Sequence, residues 1–150
     1  MSISVGTSEN KMVYFSPDAI IAPLDPLTAV NQGDRVKITG GKIVVTSAVS
    51  DDWIGMADFQ NPIASLGDTK TNGKVLLAGN VVYFDAPASE TFTFGDQVYA
   101  YGAAGYYYPQ AVTKSSSNSA KLVGTFVGLT AVVGGAGQRV AVKIVPSVVI

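Results

Sequence analysis

The stretch GDRVKITGGKIVV, residues 33–45, decides the fold class of this chain. In its first half the polar side chains of Arg35, Lys37 and Thr39 alternate with apolar ones. A period of two gives a β-strand one solvated face and one buried face. The second half is another run of β-branched residues, and the pair Gly40-Gly41 between the two runs is typical of a tight hairpin turn. The stretch therefore predicts a β-hairpin.

Runs of the same kind recur along the chain, separated by Gly, Asn, Asp and Pro. The clearest of them are residues 35–39, 42–46, 74–78, 97–101 and 139–145. No window of about a dozen residues carries the apolar i, i+3, i+4 pattern of an amphipathic helix. The sequence therefore predicts an all-β protein.

Four short motifs occur twice in the same order, which predicts an internal duplication. VYF at 13–15 returns at 82–84, GDxV at 33–36 returns at 95–98, Ile54-Gly55 corresponds to Val123-Gly124, and Gly73-Lys74-Val75 corresponds to Gly137, Arg139 and Val140. Two copies, at about 13–80 and 82–146, provide about eight to ten strands, which suits a closed barrel or a compact sandwich with few bare edges. We therefore predict an N-terminal arm at residues 1–12 and a single β domain, a small β-barrel, over residues 13–150.

The composition is 47% hydrophobic and only 14% charged, which is poor in charge for the surface of a soluble monomer. Either part of the surface is covered by partners, or the chain is a well-packed β protein with an uncharged polar surface. The net charge of −1 argues against nucleic acid as a partner, because phosphate binding requires a basic face.

The charges are unevenly distributed along the chain. Residues 1–96 carry all eleven acidic and six basic residues, a net charge of −5, whereas residues 97–150 carry four basic residues, a net charge of +4. Such an asymmetry can orient copies head to tail or steer the chain onto a charged partner.

The chain contains no His and no Cys, which removes most acid–base, nucleophilic, zinc and thiol chemistry. A pair of carboxylates could still act as in glycosidases. The candidates are Asp51, Asp52, Asp58, Asp85 and Asp96. Most of them lie within two residues of Gly, Pro or Ser, where Asp usually serves turns. We therefore expect no catalytic residue, no metal site and no cofactor, and hence not an enzyme.

One region of the chain is dense in tyrosine. Its members are Tyr99, Tyr101, Tyr106, Tyr107 and Tyr108. Tyr is enriched at protein interfaces, so the group is a candidate oligomer interface. The other interpretation is cross-strand packing in a hairpin around residues 102–105. Trp53 is expected in the core.

The N-terminal segment MSISVGTSENK has neither the basic region nor the apolar core of a signal peptide. No apolar stretch reaches the ~18–20 residues that a membrane span requires. We expect a soluble chain that is made in the cytoplasm and has no membrane partner.

The succession GDRVKITGGKIVV, DDWIGMAD, GKVLLAGNVVYF, GDQVYAYGAAGYYY and LVGTFVG resembles the capsid decoration (cement) proteins of tailed bacteriophages, over roughly residues 30–145. The resemblance implies a β-barrel or β-tulip module on the outer capsid surface of a virion, made in the host cytoplasm. It implies the major capsid protein as partner, and homo-oligomers, usually trimers and sometimes dimers, that brace neighbouring capsid subunits. The longer segment 14–31 and the loop 114–121 depart from the pattern.

The resemblance also implies that the N-terminal arm adds a strand to a capsid sheet, the mode called β-augmentation. The residues of this capsid-binding arm are Ser2, Ile3, Ser4, Val5, Val13 and Tyr14. The alternative function is a carbohydrate- or receptor-binding β module of a virion surface fibre, with the tyrosine group as a sugar platform.

Overall fold

The computed structural model describes residues 18–62, 70–103, 106–117, 119–135 and 138–149. Within these residues all regular structure is β-strand, which confirms the all-β prediction. The strands are β1 (Ala19–Pro23), β2 (Arg35–Thr39), β3 (Lys42–Val45), β4 (Gly55–Ala57), β5 (Asn72–Leu76), β6 (Val81–Asp85), β7 (Thr91–Phe92), β8 (Gln97–Ala103), β9 (Tyr106–Thr113), β10 (Leu122–Phe126), β11 (Val132–Val133) and β12 (Arg139–Ile144).

The N-terminal half forms a five-stranded antiparallel sheet in the order β1-β5-β4-β2-β3. Its β2–β3 hairpin is the one predicted from residues 33–45. Thr39 pairs with Lys42, and the two turn residues Gly40 and Gly41 have φ values of +58° and +78°. Positive φ at both positions is the geometry of a type I′ turn, which only residues such as Gly adopt without strain.

The C-terminal half forms a closed five-stranded barrel in the order β6-β12-β10-β8-β9. Four neighbouring pairs are antiparallel, and β9 closes the ring by pairing in parallel with β6, where Ala111 lies opposite Asp85. A small β-barrel is therefore present, as predicted, although strands of the C-terminal half alone close it. The extent of the single β domain, residues 13–150, stays a prediction. The short strands β7 and β11 form a separate two-stranded ribbon.

The two five-stranded sheets have the same strand order when each is read from its first strand. The turn before the second strand is built in the same way in both. Asp34 accepts a hydrogen bond from the backbone N–H of Asn31 at 2.9 Å, and Asp96 accepts one from the backbone N–H of Thr93 at 2.9 Å. The glycine before each aspartate has a φ of +92° or +93°. The GDxV motif is therefore the same Asp-stabilised turn in both halves.

A second shared feature is the close approach of two strands at the IG motif. A Cβ atom added to Gly55 would lie 2.1 Å from the carbonyl oxygen of Leu76, and one added to Gly124 would lie 2.1 Å from the carbonyl oxygen of Lys143. No side chain fits at such a distance. Both positions therefore require Gly because the neighbouring strand is too close.

The strand pairings show which residues of the two halves are equivalent. In the N-terminal sheet, β1 takes the place that β6 has in the barrel, an offset of 62 residues. The sequence match placed residues 13–15 there, and these lie outside the described residues. The registers also put the buried Val75 in the place of Val142, and not of Val140 as the sequence match has it. The copy boundaries at about 13–80 and 82–146, and duplication as their origin, stay predictions.

The two halves share part of one core. Trp53 is fully buried, as predicted, and it belongs with Met56 to the hydrophobic cluster that fills the barrel. The other large members of that cluster are Phe84, Phe92, Phe126 and Ile144. A second cluster, which includes Val36, Ile43 and Val75, lies within the N-terminal sheet. The shared cluster joins the halves along one side of the barrel.

Candidate partner-binding surfaces

The capsid-binding arm predicted from the sequence lies outside the described residues. This applies to Ser2, Ile3, Ser4, Val5, Val13 and Tyr14. The candidate sites that the structure describes are the tyrosine hairpin, the groove beside it, a lobe of exposed apolar residues and the five aspartates.

The β8–β9 hairpin distributes the five tyrosines over different environments. Tyr101 and Tyr108 are direct cross-strand partners, and their rings stack with centroids 5.6 Å apart at an interplanar angle of 20°. Tyr106 is 70% exposed, whereas Tyr107 is mostly covered and contacts the barrel cluster. Tyr99 lies further along β8 and is half-buried. Cross-strand packing thus describes Tyr101 and Tyr108, whereas the oligomer interface stays a prediction. Tyr106 and Tyr108 are the most exposed of the five, at 70% and 43%.

Tyr107 forms a polar joint between the two halves. The guanidinium of Arg35, which is only 1% exposed, lies between the rings of Trp53 and Tyr107, at 5.7 Å and 5.3 Å from their centroids. Nη2 of Arg35 donates to the Tyr107 hydroxyl, and that hydroxyl is also 2.5 Å from Oγ1 of Thr46. Nη1 of Arg35 has no hydrogen-bond partner among the described residues.

The electrostatics of this joint follow from its burial. Desolvation lowers the pKa of Arg35, although contact with Tyr107 offsets part of the effect. Desolvation likewise raises the pKa of Tyr107, against the opposing influence of the Arg35 charge. The side chain of Tyr107 therefore stays neutral, and its hydroxyl accepts one of the hydrogen bonds that the buried guanidinium of Arg35 can donate. The joint has a structural role, since it leaves no exposed reactive group.

A groove of about 460 Å³ lies beside the stacked tyrosine pair. It forms because the β8–β9 register jumps from Tyr108 to Val112, which leaves Pro109, Gln110 and Ala111 as an extra segment of β9. A bulge of this kind bends the strand and turns its side chains in a new direction. The groove is lined by Asn31, Asp34, Asp85, Ala86, Pro87, Tyr101, Tyr108, Pro109, Gln110 and Ala111.

The polar side chains of the groove are held in place by one hydrogen bond between the two halves and by contacts within each half. Nε2 of Gln110 donates to Oδ1 of Asp34 at 2.9 Å. The carboxylate of Asp85 is exposed and lies 3.5 Å from Nε of Arg139. Asn31 is fixed by a bond from Nε2 of Gln60 to its Oδ1, at 2.8 Å. No pattern in the sequence groups these residues with the tyrosines, because they come from three separate segments.

A lobe of exposed apolar side chains lies at the β7–β11 ribbon. Val132 pairs with Phe92, and the N–H of Gly95 donates to the carbonyl of Phe126 at 3.0 Å. These two links hold residues 91–96 alongside residues 126–133, and we call the two segments together the apolar lobe. Its exposed apolar side chains are Phe94 (66% exposed), Leu129 (92%) and Val133 (54%).

The equivalent positions in the N-terminal half are polar. The shared GDxV turn makes Gln32 the counterpart of Phe94, and the strand that follows the IG motif makes Gln60 the counterpart of Leu129. The backbone N–H of Gln32 donates to Oε1 of Gln60 at 3.1 Å, so the two equivalent segments are linked in the N-terminal half as well. The same backbone frame thus carries a polar pair in one half and two exposed apolar side chains in the other. Aligning the two GDxV motifs could have found Phe94 from the sequence.

Each of the five candidate catalytic aspartates forms an ion pair with a basic side chain. The pairs are Lys37–Asp51 at 3.2 Å, Lys74–Asp58 at 3.4 Å, Lys114–Asp96 at 3.3 Å, Lys121–Asp52 at 3.2 Å and Arg139–Asp85 at 3.5 Å. Three of the four basic residues after Asp96 therefore contact acidic residues earlier in the chain. Much of the charge asymmetry of the sequence is compensated within the fold.

Two of these aspartates have lowered pKa values. Partial burial of Asp51 raises its pKa, but hydrogen bonds from the backbone of Ser47, from Lys37 and from the backbone of Ala48 outweigh that effect. For Asp96, the hydrogen bond from the backbone of Thr93 is the largest cause of the lowered pKa. Both carboxylates therefore act as ionised hydrogen-bond acceptors in turns.

Neither the protein-family models nor the curated proteins contain a match to this chain. Among the described residues, no three His, Cys, Asp or Glu side chains are grouped so that they could hold a metal ion. Within the same residues, no helix has the length and apolar character to cross a membrane.

Proposed function

We propose that this chain is a capsid decoration protein, which binds the outside of a tailed-phage head and stabilises the lattice of the major capsid protein. The observation that carries the proposal is the ordered series of GDxV, Gly hairpin, IG motif and Gly-led strand, which occurs twice and resembles that family. Two of these motifs have a physical role in both halves: GDxV forms the Asp-stabilised turn, and the IG motif allows the close approach of two strands.

The proposed partners are the major capsid protein and further copies of this chain, with a trimer favoured and a dimer as the alternative. Its proposed place is the outer capsid surface of the virion. A protein that binds only the folded, assembled lattice shifts the equilibrium of that lattice toward the bound state. The stabilisation therefore needs no catalytic group, only a complementary surface on a rigid β scaffold.

The apolar lobe is the surface best suited to meet the capsid. Exposed apolar groups that lie together on a soluble protein commonly mark an interaction site. Phe94 and Leu129 are 66% and 92% exposed, so covering both would contribute about 3–4 kcal/mol of hydrophobic free energy. That corresponds to a factor of more than about a hundred in affinity for each copy bound. The arm at residues 1–12 would add backbone hydrogen bonds to the same attachment.

The double variant Phe94→Gln/Leu129→Gln tests this assignment. It installs the residues that the N-terminal half carries at the equivalent positions, so the fold should tolerate both changes. We expect its affinity for capsids that lack the decoration protein to fall by about a hundredfold in a co-sedimentation assay. The matched control is Ile21→Gln, which removes an apolar side chain of similar exposure (68%) on β1 and should leave binding unchanged. Equal binding by the double variant and the wild type would rule out the lobe.

The second function predicted from the sequence, a carbohydrate- or receptor-binding module of a surface fibre, is favoured by the groove beside Tyr101 and Tyr108. Its aromatic pair and fixed polar groups have the character of a small-ligand site. The groove and the apolar lobe involve different residues. A chain that binds a capsid through the lobe could therefore also carry a ligand in the groove.

A further inference from the structure

We propose that the groove between the two halves binds a neutral saccharide. The proposal rests on the second candidate function, the carbohydrate-binding module, and names the ligand class of its groove; it is independent of the capsid-binding role. Its volume of about 460 Å³ falls within the ~300–1,000 Å³ typical of small-molecule sites. The bulged segment of β9 and Pro87 both contribute to its lining, and the hydrogen bond between Gln110 and Asp34 links the two halves there.

The aromatic half of the groove suits the apolar face of a sugar ring. Tyr101 and Tyr108 both line the groove, and their rings stack on each other with centroids 5.6 Å apart, so each ring restricts the movement of the other. A pyranose ring carries C–H groups on one face, which pack against an aromatic surface, while its hydroxyls point outward around the edge. Tyrosine serves such a contact well because it combines apolar area with a polar tip.

The polar half of the groove is rich in acceptors, which suits hydroxyl donors. Asp85 offers an exposed carboxylate, and Asp34 holds Gln110 by its Nε2 atom. That bond fixes the orientation of the Gln110 amide, and its Oε1 atom accepts no hydrogen bond from the described residues. Saccharide hydroxyls can donate to both kinds of oxygen. Each placed acceptor therefore adds specificity as well as affinity.

The charge of the groove selects among saccharides. Asp34 and Asp85 line it, and Asp85 is paired with Arg139 at 3.5 Å, whereas no described basic side chain pairs with Asp34. A sialic acid, uronic acid or phosphorylated sugar would place its charge beside Asp34 and would compete with Asp85 for Arg139, whereas a neutral glycan does neither. A proline-rich peptide fits less well, because it offers mainly carbonyl acceptors and needs ring spacings into which prolines insert. The geometry therefore points to neutral glycans.

The proposal is tested first on a glycan array that contains neutral and sialylated members. The labelled full chain is then titrated, in NMR experiments, with the neutral methyl glycosides that bind. We expect binding to neutral glycans only, with shifts at the amides of Tyr101, Tyr108 and Gln110. Tyr108→Ala should weaken binding by about tenfold or more, because it halves the aromatic surface. Tyr106→Ala is the matched control, since Tyr106 lies two residues away on the same strand and outside the groove.

Gln110→Ala provides a second variant that keeps both rings, should Tyr108→Ala lower the folded fraction seen by circular dichroism. Binding of sialylated glycans alone, binding of a proline-rich peptide in place of sugars, or no binding at all would each overturn the proposal. So would binding that both groove variants retain. Capsid binding by the same variants is expected to be unchanged, which separates this proposal from the decoration role.

Discussion

The joint between Arg35 and Tyr107 makes one substitution especially informative. Tyr107→Phe keeps the ring that packs against the barrel cluster and removes only the hydroxyl. That hydroxyl accepts a hydrogen bond from Arg35 and bonds to Thr46. Nη1 of Arg35 already has no partner among the described residues. The variant would therefore leave a buried guanidinium with even fewer of its donors satisfied.

The size of the effect follows from hydrogen bonding to a charged group. Such a bond contributes about 1.5–3 kcal/mol, and the loss of the second bond to Thr46 moves the expected value toward the upper part of that range. We expect Tyr107→Phe to lower the free energy of unfolding by about 2–3 kcal/mol. For a chain of this length that corresponds to a fall in Tm of roughly 4–12 °C.

Urea unfolding followed by circular dichroism measures this difference, with the slope m expected to stay unchanged because the folded surface is the same. The control is Tyr106→Phe, the same chemical change at a 70% exposed neighbour, which should alter stability by no more than about 0.5 kcal/mol. The double variant Arg35→Met/Tyr107→Phe should recover part of the loss, since it removes the buried charge together with its partner. If Tyr107→Phe and Tyr106→Phe unfold at the same urea concentration, the joint does not stabilise the fold as argued.

Three further outcomes are expected. Asp51→Asn should destabilise the chain at pH 7, because the lowered pKa of Asp51 means that its ionised carboxylate stabilises the fold. This stabilisation is lost as the pH falls below 3.8, the ordinary pKa of Asp, so the difference in stability from wild type should shrink there. Urea titrations at several pH values would show a constant difference if this is wrong. Gly124→Ala should cost about 3 kcal/mol or more, or prevent folding, because the added Cβ would lie 2.1 Å from a carbonyl oxygen. Gly79→Ala should cost less, because its added Cβ meets open space and only the strain of an L residue at a φ of +93° opposes it; equal thermal stability of the two variants would argue against the close strand contact. Deleting Met1–Glu9 should leave the unfolding transition intact and abolish capsid binding; retained co-sedimentation would exclude the arm as an attachment element.

The parts of the fold that the sequence predicts are those fixed by local chemistry. The hairpin at residues 33–45 follows from alternation and a Gly pair, and both signals lie within a dozen residues of one another. The repeated GDxV motif also predicted that Asp34 and Asp96 occupy equivalent positions, and a short carboxylate next to Gly is typical of a turn. An all-β barrel was predictable on this basis.

The parts that the sequence did not predict depend on contacts between distant segments. Tyr107, whose hydroxyl accepts a hydrogen bond from Arg35, lies 72 positions further along the chain. Nothing near Arg35 in the sequence indicates that this cation is buried. The groove needs the three-residue bulge after Tyr108, whose position depends on the register of β8 against β9. The pairing of late basic residues with early aspartates is likewise a product of the closed barrel. Such features require the topology before the side chains can be placed.

The most direct test of the decoration role is the binding of the wild-type chain to capsids that were assembled without it. We expect saturable co-sedimentation with a fixed number of copies per capsid subunit, and a rise in the temperature at which the occupied capsids disrupt, because a ligand of the assembled state stabilises that state. Capsids that neither retain the chain nor gain thermal stability at saturating concentrations would contradict the proposed function.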